Sequence, residues 1–184
     1  MVGLDKKIEQ TEKGEIMNDT YCETIIKCKM GSKALMGRML AVIMSAVTLL
    51  ICLMIVPIFG LIAAFFLVWL DIVVFRNTDI EYEYQYVSGD LDIDVIYGKT
   101  KRKKAQRFDM RKIEVFAPVN SDKLSSYRGD NIKVMDYSSG YMDRKRYAFV
   151  ITLEGGQTAK VIFEPTEKMV DAVKYVAPSK VHMY

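Results

Sequence analysis

The feature that most constrains this chain is one apolar run from Met39 to Phe75, broken by Pro57, Gly60 and a few polar side chains. One membrane crossing takes about 20 apolar residues, so the run is too long for one helix and close to enough for two short ones. Its turn-forming residues, 57–60, fall in the middle of the run. We therefore predict a transmembrane hairpin of two helices over 34–75.

Cationic residues flank the apolar run and predict its orientation. They are Lys27, Lys29, Lys33 and Arg38 before the run and Arg76 after it, whereas the central turn carries no charge. Because lysine and arginine favour the cytoplasmic side, both termini are predicted to be cytoplasmic. The predicted location is the cell membrane with two spans. A signal peptide is not predicted, because the run begins far from Met1 and has no small-residue cleavage pattern.

Composition places a small polar domain beside this hairpin. The 184 residues have a mean hydropathy of only +0.07, which fits a membrane-attached domain rather than a transporter. The net charge of +3 is too small to indicate nucleic-acid binding. The three cysteines lack zinc-site spacing and fit a reducing compartment. The predicted organisation is a cytoplasmic tail over 1–33, the hairpin over 34–75 and a cytoplasmic domain over 76–184.

The N-terminal tail over 1–33 contains a predicted helix and two methionines that could start translation. Residues 16–26 predict a short amphipathic helix that begins at Asn18 or Asp19 as its N-cap. Met1 and Met17 are both possible translation starts, and the sequence alone does not choose between them.

After Arg76 the hydrophobic period changes from helical to two. Residues 79–87 place Ile80 and three tyrosines on one face and acidic or amide side chains on the other, which is typical of a half-buried strand. A turn at 88–90 leads to a second such strand over 90–97. A basic loop over 98–104 follows, and further short strands are predicted over 105–110, 112–117, 132–137, 146–153 and 158–163. A helix over 166–176 ends the pattern, with one apolar stripe.

About seven antiparallel strands followed by one amphipathic helix predict an α+β domain, a bent barrel or sandwich closed by the helix. The order resembles the pleckstrin-homology (PH) fold. The chain also resembles an uncharacterised family of small bacterial membrane proteins in which a two-helix hairpin precedes a PH-like domain. Three segments carry this second resemblance: 81–94 with its strand–turn–strand pattern, the basic 98–104 and 112–118. The resemblance implies a fold and a location, and it implies no activity.

A basic cluster is the best candidate for a lipid- or partner-binding site. Its members are Lys99, Lys101, Arg102, Lys103, Lys104 and Arg107. Such clusters attract anionic headgroups by about 1 kcal/mol per charge near the surface. The alternative is an ordinary solvated loop. The turn at 88–90 is short and acidic, which argues against specific phosphoinositide binding of the PH type.

Asp71 is the one carboxylate within the predicted spans. Intramembrane acids often mark functional sites, but this one lies near the Arg76 end, where contact with water or with Arg76 is the alternative. The tyrosine row of Tyr82, Tyr84 and Tyr86 is predicted to be core rather than a ligand groove. The acidic row of Asp90, Asp92 and Asp94 is predicted to be an exposed face rather than a calcium site.

Catalysis is not predicted. His182 is the only histidine, and there is no catalytic triad, zinc motif or phosphate-binding glycine loop. We predict no cofactor and no metal. The sequence favours a non-enzymatic, membrane-anchored interaction module, an adaptor or scaffold whose partner is a protein, a second copy of the chain or membrane lipid. The alternatives are an accessory subunit of a membrane enzyme or transporter that works through Asp71, and an anionic-lipid sensor that works through 99–104.

Overall fold

A computed structural model describes residues 21–55, 57–129 and 131–183. In chain order the elements are β1 (Tyr21–Lys27), α1 (Ser32–Ile55), α2 (Pro57–Thr78), β2 (Ile80–Val87), β3 (Asp90–Tyr97), β4 (Lys101–Asp109), β5 (Val115–Pro118), β6 (Lys133–Asp136), β7 (Tyr147–Thr152), β8 (Thr158–Phe163) and α3 (Glu167–Val176). Two four-stranded sheets have the strand orders β1-β2-β3-β4 and β5-β7-β8-β6.

The chain divides into two compact units. The sheet unit comprises, of the described residues, Tyr21–Ile26, Tyr82–Asp94 and those between Lys104 and Met183. The helix unit comprises Lys27–Glu81 and Val95–Lys103.

The strand β1 corrects the predicted N-terminal helix. Residues 21–26 are extended, and the rest of that predicted helix lies outside the described residues. Burial alternates along the strand, with Cys22 and Ile26 in the core and Tyr21 and Ile25 exposed. β-branched and aromatic side chains favour such a strand once a neighbouring strand is present. The seven predicted strands all lie after the helices, so β1 is the additional one.

The basic segment is mostly strand rather than loop. A tight turn at Gly98 and Lys99 joins β3 to β4, and both residues have positive φ, of 54° and 58°. Thr100 N donates to Tyr97 O at 3.2 Å, which closes a hairpin turn of the kind that matches strand twist. β4 therefore begins at Lys101, and the predicted loop over 101–104 is wrong. Long cationic side chains are compatible with an edge strand because their charged ends reach solvent.

The second sheet belongs to the sheet unit and confirms the predicted strand pair near the C-terminus. β7 pairs antiparallel with β8, and β5 pairs antiparallel with β7. β6 pairs parallel with β8, which differs from the all-antiparallel prediction. The segment after α3 lies along β5: Phe116 N donates to Lys180 O and His182 N donates to Phe116 O, both at 2.8 Å. These bonds cover the outer edge of β5.

The core of the sheet unit lies between strands of both sheets and α3. α3 is capped by Thr166, whose hydroxyl accepts from Met169 N at 3.3 Å. Its buried side chains are Met169, Val170, Ala172 and Val173, as the predicted stripe requires. Phe163 is the centre of an aromatic cluster, since its ring contacts Tyr84, Phe116 and Phe149 at centroid distances of 5.6, 6.0 and 5.5 Å.

Within the helix unit, α1 and α2 pack against each other. The turn predicted at 57–60 is wrong, because α2 begins at Pro57; proline at the first helical position has no N–H to leave unpaired. Among the described residues, one helix segment, Ser32–Cys52, is long and apolar enough to cross a membrane, with a mean hydropathy of 2.1. None of that window is buried.

Candidate functional site

The structure separates the predicted basic cluster into two groups. Lys104 and Arg107 lie in the sheet unit and share the carboxylate of Asp92. Lys99, Lys101 and Lys103 lie in the helix unit, are exposed, and form no ion pair within the part of the chain that the structure describes. Alternate residues of a strand share a face, so Lys101 and Lys103 project from the same side of β4. Arg102 has an interaction of its own and is left out of this second group.

Asp92 pairs with both cations of the first group. Arg107 grips the carboxylate with two guanidinium nitrogens, of which Nε lies 2.7 Å from Oδ1, and Lys104 Nζ lies 3.2 Å from the same oxygen. The hydrogen bond from Arg107 is the main cause that lowers the pKa of Asp92, and Lys104 lowers it further. This bidentate geometry is the strongest form of a surface ion pair. Lys104 and Arg107 are therefore strand-to-strand contacts rather than free cations.

The Asp92 carboxylate is expected to give the protein an acid-dependent stability. Because its folded pKa is lowered, the stabilisation is fully present above the unfolded pKa of about 3.9 and is lost as pH falls below that value through the folded pKa. Asp92→Asn should therefore reduce the loss of melting temperature between about pH 5 and pH 2, by a small amount because its partners are more than half exposed. Thermal melting against pH measures this. Asp171→Asn, at an exposed position of α3, is the control and should leave the pH profile unchanged.

The second group lies beside the end of α2. Gly98 N donates to Asp79 O at 2.7 Å, directly after α2 ends at Thr78. A Cβ atom on Gly98 would lie 2.0 Å from Arg76 Cγ and 2.8 Å from Arg76 O, so only glycine allows this approach. The turn that carries Lys99 is thus fixed against the last turn of α2.

Arg38 joins the two helices at the same end. Its guanidinium donates to Phe75 O at 2.7 Å and to the Thr78 hydroxyl, and it lies over the Phe75 ring at 4.8 Å. These partners are uncharged, so the charge of Arg38 remains. It also compensates the negative end of the α2 dipole. Arg38, Arg76, Lys99, Lys101 and Lys103 together form what we call the basic collar, all within the helix unit.

Asp71 has a partner inside the helix pair. Its Oδ2 accepts a hydrogen bond from the Ser45 hydroxyl of α1 at 2.9 Å, rather than pairing with Arg76. Polar side chains that bond across helices stabilise membrane helix pairs by roughly 1 kcal/mol. This hydrogen bond favours a role for Asp71 in helix packing over a role in contact with a partner enzyme or transporter.

The tyrosine and acidic rows have structural partners in the sheet unit. Tyr84 and Tyr86 are fully buried, with hydroxyls that donate to Tyr137 O at 2.6 Å and Ala172 O at 3.2 Å, which confirms that they are core. Burial raises the pKa of Tyr86 to about 12. Asp90 accepts from Arg111 at 2.9 Å, as Asp92 does from Arg107. Within the described residues no group of three acidic, cysteine or histidine side chains is arranged to hold a metal ion.

Sequence reasoning missed one further feature of the sheet unit. A cavity of about 260 Å³ is lined by Pro118–Asn120, Met142 and the Arg144–Tyr147 segment. Glu164, which is 6% exposed, holds the neighbouring loop: its Oε1 accepts from Ser139 N and Oγ at 2.8 and 2.7 Å, and Arg144 lies 3.6 Å from Oε2. The signal in the sequence is the basic run 144–146, of which only Arg146 belongs to a predicted element, the strand over 146–153.

Comparison with known proteins bears on the fold. A family model described as a bacterial PH-like domain (DUF6106) matches residues 18–183. No curated protein and no solved structure matches the chain at a significant level. The match, together with two sheets and a C-terminal helix, confirms the predicted PH-like α+β domain.

Proposed function

The chain belongs to the DUF6106 family of bacterial PH-like domains, and from that membership we propose that it is a non-enzymatic interaction module anchored in the cell membrane. Two helices, α1 and α2, form the anchor, and both termini lie on the cytoplasmic side. The module serves as an adaptor or scaffold for a protein partner or for a second copy of the chain. PH-like domains present sheet edges and loops to partners, and the edge strands β1, β4 and β6 are the surfaces available for such binding, whereas the edge of β5 is covered.

The apolar surface of α1 is the observation that carries the anchoring. Large side chains along its whole length are more than half exposed, among them Met36, Leu40, Ile43, Leu50 and Met54. A soluble monomer rarely exposes a continuous apolar surface of this extent. Lipid removes that surface from water, and the 24 residues of α1 extend about 36 Å, enough for a hydrocarbon core of about 30 Å.

The charge distribution of the helix unit supports the orientation. Lys29 and Lys33 precede or begin α1, and Arg76 lies in the last turn of α2. Within α1 the only cation after Lys33 is Arg38, and it bonds the end of α2. All these cations therefore mark one end of the helix pair, which the positive-inside rule places in the cytoplasm.

Thiol labelling of the full chain tests the anchor and its orientation. Cys28 and Cys52 are replaced by alanine, while buried Cys22 stays, and a single cysteine is introduced at Met54 or at Ser126. A membrane-impermeant maleimide on spheroplasts should label Met54→Cys and spare Ser126→Cys, and both should react once the membrane is permeabilised. Labelling of Ser126→Cys in intact spheroplasts would contradict the orientation, and release of the chain by alkaline carbonate would contradict the anchor.

A pulldown tests the interaction role. Cys28 N donates to Ile80 O at 3.0 Å, so the end of β1 lies beside the start of β2 and a short Asn-Gly turn can replace 30–78. This variant keeps β1, which a fragment beginning at Asn77 would lose. A partner retained by both the full chain and the variant supports an adaptor that works through its PH-like domain. A partner retained only by the full chain would mean that the helices, rather than the PH-like domain, bind it.

A further inference from the structure

We propose that the basic collar binds the headgroups of anionic phospholipids in the leaflet where α1 begins and α2 ends. The proposal deepens the proposed function and rests on it, because the collar meets lipid only if the two helices lie in a membrane. It assigns a ligand class to Arg38, Arg76, Lys99, Lys101 and Lys103, and it excludes Arg102, Lys104 and Arg107 of the predicted cluster.

Position is the first argument. The last turn of α2 is where a membrane helix meets the headgroup layer, and Gly98 is bonded to Asp79 O immediately beyond it. Lys99 follows Gly98 directly, and its side chain is exposed. Trp69 and Phe75, in the C-terminal half of α2, are 54% and 41% exposed, so both side chains are available to lipid.

Charge balance is the second argument. Two acids of the helix unit have other partners: Asp79 pairs with Lys27 at 3.5 Å, and Asp71 accepts a hydrogen bond from Ser45. Glu81, the third acid of that unit, forms no ion pair with the collar within the described residues. Arg38 is held by neutral oxygens, and the three lysines form no ion pair within the described residues. The collar therefore presents up to five positive charges that form no ion pair within the described residues, which leaves them open to counter-charges from outside the protein. Phosphate groups of anionic lipids at the same depth supply them.

The recognition is electrostatic rather than stereospecific. Lysine ends on a strand and turn form no cradle of backbone N–H groups, so headgroups of the same charge should bind alike. An ordinary edge-protecting role for the lysines of β4 predicts no lipid preference at all.

The chain carries its own reporter, because Trp69 is the only tryptophan. It lies seven residues before Arg76, about 10 Å along the helix axis. The full chain is reconstituted in mixtures of phosphatidylcholine and phosphatidylglycerol, with brominated acyl chains on one lipid at a time. Quenching of Trp69 fluorescence by each brominated lipid then gives the relative occupancy of the sites around the helices.

For the natural chain we expect phosphatidylglycerol to be preferred by roughly fivefold or more at low salt, with the preference falling towards one at high salt. Charge reversal of Lys99, Lys101 and Lys103 to glutamate should lower the preference at least threefold. Reversal of Lys123, Lys133 and Lys180, exposed lysines elsewhere in the chain, changes the net charge equally and should leave it unchanged. If the glutamate variant does not fold, replacement of the three collar lysines by glutamine is the substitute test. The lipid preference of the glutamine variant should lie between that of the natural chain and no preference.

The outcomes separate this inference from the proposed function. Absence of quenching by either lipid would show that the helices are not in the bilayer and would overturn both. Equal quenching by the two lipids would leave the membrane anchor intact and overturn the collar. A preference that survives in both collar variants, or that falls equally in the control variant, would also overturn it.

Discussion

Substitution of Phe163 by alanine is expected to lower the free energy of unfolding of the sheet unit by about 3–5 kcal/mol. Phe163 is fully buried, and its ring lies edge-on to Tyr84, Phe116 and Phe149, which belong to three different strands in two sheets. Its removal leaves a cavity among groups that cannot close it, because each is fixed by its own strand. Thermal or denaturant melting of the purified chain in detergent, followed by circular dichroism in the β region, measures the loss.

Two control variants make this prediction specific. Phe163→Leu keeps most of the apolar volume and should lose less than half as much. Tyr175→Ala removes an aromatic ring that is 52% exposed on α3 and should change stability by less than about 0.5 kcal/mol. Equal losses for Phe163→Ala and Tyr175→Ala would mean that Phe163 is not the centre of the core.

Replacement of Gly98 by alanine is expected to destabilise the helix unit by about 2–4 kcal/mol. Two causes add up: a positive φ of 54°, which L-residues with a side chain disfavour, and a Cβ that would meet Arg76 Cγ and Arg76 O. The second contact includes backbone, so a side-chain rotation cannot relieve it. The turn that carries Lys99 should then separate from the end of α2, and amide hydrogen exchange of 97–100 should become faster.

A glycine series separates the two causes. Gly155 has a φ of 104° but open space at its Cβ position, so Gly155→Ala should cost only the backbone term, about 1–2 kcal/mol. Gly129 has neither a positive φ nor a neighbour within 4 Å, so Gly129→Ala should be close to neutral. If Gly98→Ala costs no more than Gly155→Ala, the close approach to Arg76 is not what holds the turn.

The predicted strands after Arg76 were correct where alternation and turn residues agreed. β2, β3, β7 and β8 lie within one or two residues of their predicted limits, and α3 begins one residue later than predicted because Thr166 is its cap. β3 alternates between buried and partly exposed residues, a period that the sequence records, whereas β7 is buried on both faces and is recognised by its apolar residues and the glycine turn that follows. The run of charges in 101–104 favours a loop, but the segment is a strand because an edge strand tolerates charged side chains on both faces.

β1 shows the limit of local reasoning. Its alternation is short, and it is separated from β2 by the helices, so nothing nearby in the sequence indicates a strand partner. The grouping of the candidate site residues could not be predicted from local sequence either. The sequence identified six cations, but only the pairing of strands brings Asp92 to Lys104 and Arg107 and leaves Lys99, Lys101 and Lys103 without an acid among the described residues.

The sequence by itself determined the apolar run, the class of the C-terminal domain and most of its strands, because hydrophobic period and turn chemistry are local properties. The tertiary structure decided which residues act together. β1 pairs with a strand that follows the helices in the sequence, Ser45 donates to Asp71, and Gly98 lies against Arg76, through contacts between residues that are 22 to about 60 positions apart. Such contacts depend on where the folded backbone places each side chain, and no local pattern records that.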